Sequence, residues 1–506
     1  MALNPFWMAW LPALACLAAC LAAAGTRSSP WPLARTGTSV ALVLALAHAG
    51  LALAGHQGAQ FGAQEIFGLL VAFLGWIIVH FSARYLAGEA RERRYVIGLL
   101  GTLAAVAGIA ATNHLGVMLA LWIGTSIGLH ALLTFYPDRP AALQAAHKKF
   151  VASRLAEACF AVALVLIQRE TGTLHLDALS AYAAARESLP LGMHVAMTLI
   201  ALAAVIKCAQ VPVHGWLIQV MEAPTPVSAL LHAGIVNVSG FVLIRLAELV
   251  SLAPGAQTVL VVTGGATALL AGLVMLTRVS IKVRLAWSTC AQMGFMLVEC
   301  GLGLYELALL HLVAHSLYKA HAFLTAGETV ARVRQRDAWP GQDATTLLAR
   351  NVWMAGLAAL ALKAGTVVLW TELGASDVPW IAIVVVATGL APLLWHAPLA
   401  GAARIVGLTS LYMLWHQAFG TLLQQGAPPH FALELFAAAC FVSVYFLQFW
   451  LVHRASSPLA RALYPWAYAG FYADERFTRW ALGVFPRAMT RNTPAASTPL
   501  RIEETP

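Results

Sequence analysis

Proton-carrying side chains lie in this chain where lipid-facing residues would be expected. Between Ile206 and Asn237 the sequence reads IKCAQVPVHGWLIQVMEAPTPVSALLHAGIVN, with Lys207, His214 and His232 among apolar residues and Pro212, Pro224 and Pro226 interrupting the helical pattern. A charged lysine at bilayer depth costs about 3 to more than 10 kcal/mol, so an intramembrane lysine implies a function. Pro212 removes a backbone donor and breaks the helix that carries Lys207. Freed carbonyls are tolerated in hydrocarbon only against buried protein or a hydrated cavity. A lysine beside a broken helix is the chemistry of an ion path at mid-membrane. An imidazole titrates near neutral pH and can pass a proton between its two nitrogens, which makes His232 a relay candidate and His214 a secondary one. The structural alternative for His232 is a packing histidine bonded to a carbonyl.

A second group follows. His311, His315 and Lys319 are spaced i, i+4, i+8 and so share one helix stripe about 12 Å long, either a water-ordering path or a hydrogen-bonding seam between helices. Lys363 stands alone in LALKAGTVVLW. Glu157 supplies a carboxylate that can pair locally with Arg154 at i, i+3. Burial disfavours a charged lysine and a nearby carboxylate favours it, so moving the carboxylate's charge switches the lysine between proton-loaded and proton-free. His130 is a further secondary candidate. Arg404 and Glu434 lie near span ends, where snorkelling accounts for them.

The elements that position these residues are transmembrane helices. Hydrophobic residues make up 60% of the 506 positions and charged residues 10%, with mean hydropathy +0.75, which excludes an ordinary soluble globule. Apolar windows recur to give about fifteen spans. The first apolar run has no basic residue before it, Arg27 being the first charge, so it reads as a true span and not a signal peptide. Basic residues alternate between loops: Arg27 and Arg35; Arg84 to Arg94; Arg139, Lys148 and Lys149; Arg278 to Arg284; Arg332 to Arg350. The positive-inside rule then places the N-terminus in the periplasm and the C-terminus in the cytoplasm. The net charge of +9 follows from these loops and needs no nucleic-acid partner. Seven cysteines without a CxxC, nearly all in or beside apolar spans, read as small core residues. After His453 the chain becomes polar: Phe477, Trp480, Ala481 and Val484 recur at helical spacing, an amphipathic segment suited to a membrane surface or a soluble partner, and Asn492–Pro506 reads as disordered.

The run from Lys207 to Trp216, then Ala223-Pro224-Thr225-Pro226-Val227-Ser228-Ala229-Leu230-Leu231-His232-Ala233, resembles the signature of proton-translocating antiporter-like subunits. So do Ser280-Ile281-Lys282, Ser288-Thr289, Gln292-Met293-Gly294 and the block from His311 to Lys319. That family includes the largest antiporter-like subunit of NADH:quinone oxidoreductase and subunits of cation/proton antiporters. The resemblance runs from Ala120 to Val330. It implies an all-α polytopic membrane protein with two inverted five-helix repeats and broken helices, divided as N-terminal helices (1–94), first repeat (95–250), second repeat (256–396), C-terminal helices (397–453) and a cytoplasmic tail (454–506). It also implies Lys207 as the central lysine, Glu157 at a usual acidic place as its counter-charge, alone or together with the local Arg154 pair, and Lys363 near the second repeat's lysine. The family's glutamate directly after Trp122 is replaced here by Ile123.

Within the family, the short tail and Ile123 are most similar to the membrane subunit of the DAB inorganic carbon accumulation complex. That resemblance implies a large cytoplasmic zinc-binding partner related to β-carbonic anhydrases, cation flux driving CO2 hydration in that partner, and residence in the bacterial inner membrane. No cofactor or metal is expected in this chain, and membrane lipids are its other partner. The alternatives are a subunit of a multisubunit cation/proton antiporter or of an NADH:quinone oxidoreductase-type complex, and a scaffold that anchors a soluble enzyme without conducting.

Overall fold

The computed structural model describes residues 5–55, 61–330, 352–374, 378–396, 398–419 and 429–484. The regular elements among these are helices. Five long ones open the chain: α1 (Pro5–Gly25), α2 (Trp31–Leu53), α3 (Ala63–Tyr85), α4 (Glu92–Ala111) and α5 (Leu115–Leu133). There follow α6 (Pro140–Thr171), the short α7 (Leu176–Ala184) and α8 (Leu191–Lys207). A broken region contains α9 (Gly215–Gln219), α10 (Thr225–Ala233), α11 (Val238–Arg245) and α12 (Ala247–Ser251), and leads to α13 (Pro254–Val274), α14 (Ile281–Gly301) and α15 (Tyr305–Leu324). The later helices are α16 (Val352–Glu372), α17 (Trp380–Leu390), α18 (Leu393–His396), α19 (Pro398–Phe419), α20 (Phe431–His453), α21 (Pro458–Tyr468) and α22 (Glu475–Val484).

Ten helical segments among the described residues, with α10 and α11 together forming one, are long and apolar enough to cross a membrane; α8 and α17 are shorter apolar helices. Helices α14, α15 and α19 have 21, 20 and 22 residues but carry polar positions. The chain is therefore an all-α polytopic membrane protein, because in lipid every backbone polar group must be satisfied within its own segment.

The sequence signals for helix ends hold locally. Proline opens α6, α13 and α21, where its missing N–H costs nothing, and Gly172 ends α6 in the left-handed conformation at φ 70°. Helix α4 lies inside the bundle, with Val96, Leu100 and Ile109 fully buried. Helices α13 and α14 cross at paired glycines: a Cβ on Gly264 would lie 2.5 Å from the Gly294 carbonyl oxygen, and one on Gly294 equally close to that of Gly264. One continuous apolar core runs from Ala13 to Ala320 and includes Phe477 and Ala481 of α22. A second core joins α16, α18, α19 and α20.

One sequence reading is corrected here. Lys148 and Lys149 are not loop charges: α6 begins eight residues before Lys148, and the two lysines are 1% and 4% exposed. The amphipathic segment after His453 turns back onto its own chain. Arg278 Nη2 donates to the Tyr468 carbonyl at 2.8 Å, and Lys148 Nζ lies 2.5 Å from Asp474 Oδ2. Asn492–Pro506, read as disordered, and Arg332 to Arg350 lie outside the described residues.

Candidate ion-conducting site

The helix break after Lys207 exposes backbone groups that the fold must satisfy. Helix α8 stops at Lys207, and the Val211–Pro212 bond is cis. Val211 N–H donates to Thr267 Oγ1 at 3.1 Å, and Gln210 Nε2 donates to the Cys208 carbonyl at 2.8 Å. Pro224 and Pro226 open α10, and a second break at Gly234–Asn237 separates α10 from α11. Asn237 Nδ2 closes that break by donating to the Ala233 carbonyl at 2.9 Å and to Ser316 Oγ of α15 at 2.6 Å. The breaks are thus sealed by side chains from neighbouring helices, which is how irregular backbone survives at membrane depth.

At the end of α8, Lys207 Nζ lies 2.9 Å from Glu157 Oε1 of α6 and 2.6 Å from Ser126 Oγ of α5. Ser126 Oγ donates in turn to the same carboxylate oxygen at 2.7 Å. The other carboxylate oxygen lies 2.5 Å from Arg154 Nη2. Glu157 therefore holds both the local and the long-range partner expected of it. The Lys207 side chain is 10% exposed and sits 5.3 Å from the centroid of the Trp122 ring. Lys149 adds a second buried ammonium, donating to the Ser126 carbonyl at 2.7 Å. The carboxylate thus pairs with two cations, Lys207 and Arg154, while Lys149 holds the backbone of the serine that bridges the pair.

Helix α15 carries the second group. Lys319 Nζ donates to Ser288 Oγ at 2.8 Å and to the Leu285 carbonyl at 3.2 Å. His315 is buried one turn away, and neither ring nitrogen has a hydrogen-bonding partner among the described residues. His311 Nδ1 pairs with Glu299 Oε2 at 2.9 Å, and the His311 and His315 ring centroids are 6.0 Å apart. His232 of α10 stacks on Phe323 with centroids 4.6 Å apart, and its ring nitrogens are likewise without hydrogen-bonding partners among the described residues. It is therefore not the carbonyl-bonded packing histidine considered from sequence.

Lys363 is fully buried on α16, with Nζ 4.6 Å from the Tyr412 ring centroid. The His214 ring lies 5.0 Å from that of Trp287, and His214 lines a cavity together with Asp474 of the tail. His130 packs between His147 and Phe150. Four groups were not visible as site residues in the sequence: Ser126, Glu299, Glu306 and His416, the last two paired at 2.5 Å. The carboxylates had a signal, an acidic residue within an apolar run; Ser126 had none. No group of three or more His, Cys, Asp or Glu among the described residues could hold a metal ion.

Broken helices, buried lysine–carboxylate pairing and a histidine–lysine stripe define an antiporter-like membrane subunit. The chain belongs to the family described as "NADH:quinone oxidoreductase/Mrp antiporter, TM", whose pattern matches residues 112–391. Among curated proteins it is 40% identical over 435 residues to the probable inorganic carbon transporter subunit DabB of Hydrogenovibrio crunogenus, covering 82% of this chain and 81% of that protein. It is 36% identical to DabB2 of Halothiobacillus neapolitanus, covering 88% and 83%. NADH-quinone oxidoreductase subunit L of Mycobacterium tuberculosis is 34% identical over 52% of this chain and 42% of its own length. In fold, the chain is similar to the Mrp complex from Dietzia (TM-score 0.56, 22% identity, 90% of this chain and 51% of that one). It is equally similar to the archaeal membrane-bound sulfane sulfur reductase (TM-score 0.56, 17% identity, 90% and 77%).

Proposed function

We propose that this chain is the cation-conducting membrane subunit of an inorganic carbon accumulation complex. The observation that carries conduction is the Ser126-bridged Glu157–Lys207 pair at the end of a broken helix. A buried ion pair is weak as a device for stability, since apolar packing of similar volume does as well or better. Its value lies in switching: withdrawing the carboxylate's charge lets Lys207 release a proton, and returning it reloads the lysine. The route uses Lys319, His315, His311, His232 and Lys207, with Glu157 as the counter-charge that Ile123 cannot supply; Lys363 belongs to the second repeat.

The similarity to DabB subunits supports inorganic carbon as the transported currency. In this reading the ion, H+ or Na+, drives CO2 hydration in a large cytoplasmic zinc-binding partner of the DabA type, related to carbonic anhydrases. The chain itself performs no chemistry on CO2. It resides in the bacterial inner membrane with the N-terminus periplasmic and the C-terminus cytoplasmic, following the loop charges.

Gentle extraction of the tagged chain from its own membrane, with mass spectrometry of what accompanies it, tests this assignment. One large soluble zinc protein is the expected companion. Several other antiporter-like subunits would instead place the chain in a cation/proton antiporter or an NADH:quinone oxidoreductase-type complex, a reading the subunit L similarity favours.

A further inference from the structure

Four helices bury ionisable groups that the route above does not use. Glu306, in the first turn of α15, lies 2.5 Å from His416 Nδ1 of α19, the two side chains being 8% and 2% exposed. The His416 ring stacks against Tyr412, one turn earlier on α19, with centroids 5.9 Å apart. Tyr412 presents its face to Lys363 Nζ of α16. Leu307, Val367, Ala382 and Tyr412 pack α15, α16, α17 and α19 together here. On the other side, Glu299 of α14 is 1% exposed, holds His311, and leaves Oε1 without a hydrogen-bonding partner among the described residues.

We propose that Glu306 with His416, and Glu299 with His311, are proton-carrying pairs that join Lys363 to the α15 stripe and extend that stripe to the end of the bundle away from the tail. The direction follows from α14. Its first turn follows Arg278, which is bound to the tail, and its last turn carries Glu299 and leads into Tyr305 and Glu306. The stations then run from Glu306 and His416 at that end, through Glu299 and His311, to His315 and Lys319 deeper in the bundle.

Each transfer is balanced. A carboxyl O–H bond breaks as an imidazole Nδ1–H bond forms, and the proton on the other ring nitrogen leaves for the next acceptor, so one proton enters and one departs. The 6.0 Å between the His311 and His315 rings is a gap that one water or one ring rotation spans. A purely packing role would be served equally well by apolar side chains of the same volume.

This inference rests on the reading that the chain conducts protons, and the test separates the two. Proton flux driven by an imposed pH gradient is measured on the intact complex in proteoliposomes for wild type, Lys207→Ala, Glu306→Gln and Glu299→Gln, with thermal stability and assembly recorded for each. Glutamine keeps the shape of the carboxylate and removes its proton chemistry. Flux reduced at least about tenfold in E306Q and E299Q, at wild-type stability, with partial recovery in Glu306→Asp, supports the proposal. Flux within twofold of wild type in either assembled glutamine variant, while K207A is inactive, overturns this inference and leaves the functional reading intact. If one glutamine variant does not assemble, the other decides by the same criterion. Loss of assembly in both shows a structural role and overturns it, and absence of flux in wild type overturns both readings.

Discussion

Glu157 Oε1 lies 2.9 Å from Lys207 Nζ and 2.7 Å from Ser126 Oγ, so one oxygen atom of α6 ties together α5 and the end of α8. The carboxylate's other oxygen is held by Arg154. Movement of Glu157 toward Arg154 would loosen it from Lys207, giving the lysine two electrostatic settings within one small site.

Glu157→Gln removes the charge and keeps the hydrogen-bonding shape. It is expected to cut proton flux by at least about tenfold and to leave Lys149, Lys207 and Arg154 as a cluster of uncompensated cations. Flux assays on the reconstituted complex check the first effect, and a lowered midpoint of thermal unfolding checks the second, because leaving a buried charge unpaired is strongly destabilising.

His232→Phe distinguishes relay from packing. The ring stacks on Phe323 and makes no hydrogen bond to the described residues, so phenylalanine should preserve the stack and change stability by less than about 1.5 kcal/mol. Flux should nevertheless fall, since phenylalanine carries no proton. A variant of unchanged stability and unchanged flux would remove His232 from the path.

The tail is held by a contact that only glycine permits. Gly215 N–H donates to Asp474 Oδ1 at 3.1 Å, and a Cβ on Gly215 would lie 1.8 Å from Asp474 Oδ2. Gly215→Ala and Asp474→Asn should each speed proteolysis of residues 454–484 in the folded protein. The double variant should go beyond Gly215→Ala alone, because asparagine keeps an oxygen for the Gly215 N–H but loses the charge that pairs with Lys148.

How much of this was legible before the structure depended on whether a residue's partner was local. Lys207 declared itself because a lysine beside proline in an apolar run is expensive, and Glu157 followed from the acidic place usual in the family once Ile123 could not serve. The stripe from His311 to Lys319 needed only the helical repeat. Lys148 and Lys149 were misread because the apolar run begins at Phe150, while the helix itself begins at Pro140, a length that hydropathy does not mark. Ser126 was invisible because a serine in a span costs little and carries no signal. Glu306 and His416 are 110 positions apart, and Lys148 and Asp474 are 326 apart; no spacing rule reaches across such separations. The fold class was readable from composition and the family signature, whereas the return of the tail to Gly215 was not: Asp474 is one charge among several on its segment, and only its pairing with the buried Lys148 distinguishes it.

Ile123→Glu tests whether Glu157 alone holds the role of counter-charge. Position 123 adjoins Trp122, whose ring lies 5.3 Å from Lys207 Nζ. In a Glu157→Gln background the new carboxylate should restore part of the lost flux, read in the same proteoliposomes. No recovery would show that α6 geometry, and not merely a nearby negative charge, is required.

The most direct measurement is proton flux through the reconstituted wild-type complex and its Lys207→Ala variant under an imposed pH gradient, with bicarbonate formation from CO2 followed in the same vesicles. The account predicts that wild type conducts and couples conduction to bicarbonate formation, and that Lys207→Ala loses both while remaining assembled. An assembled Lys207→Ala variant with wild-type flux and bicarbonate formation would contradict the central role given to the Glu157–Lys207 pair.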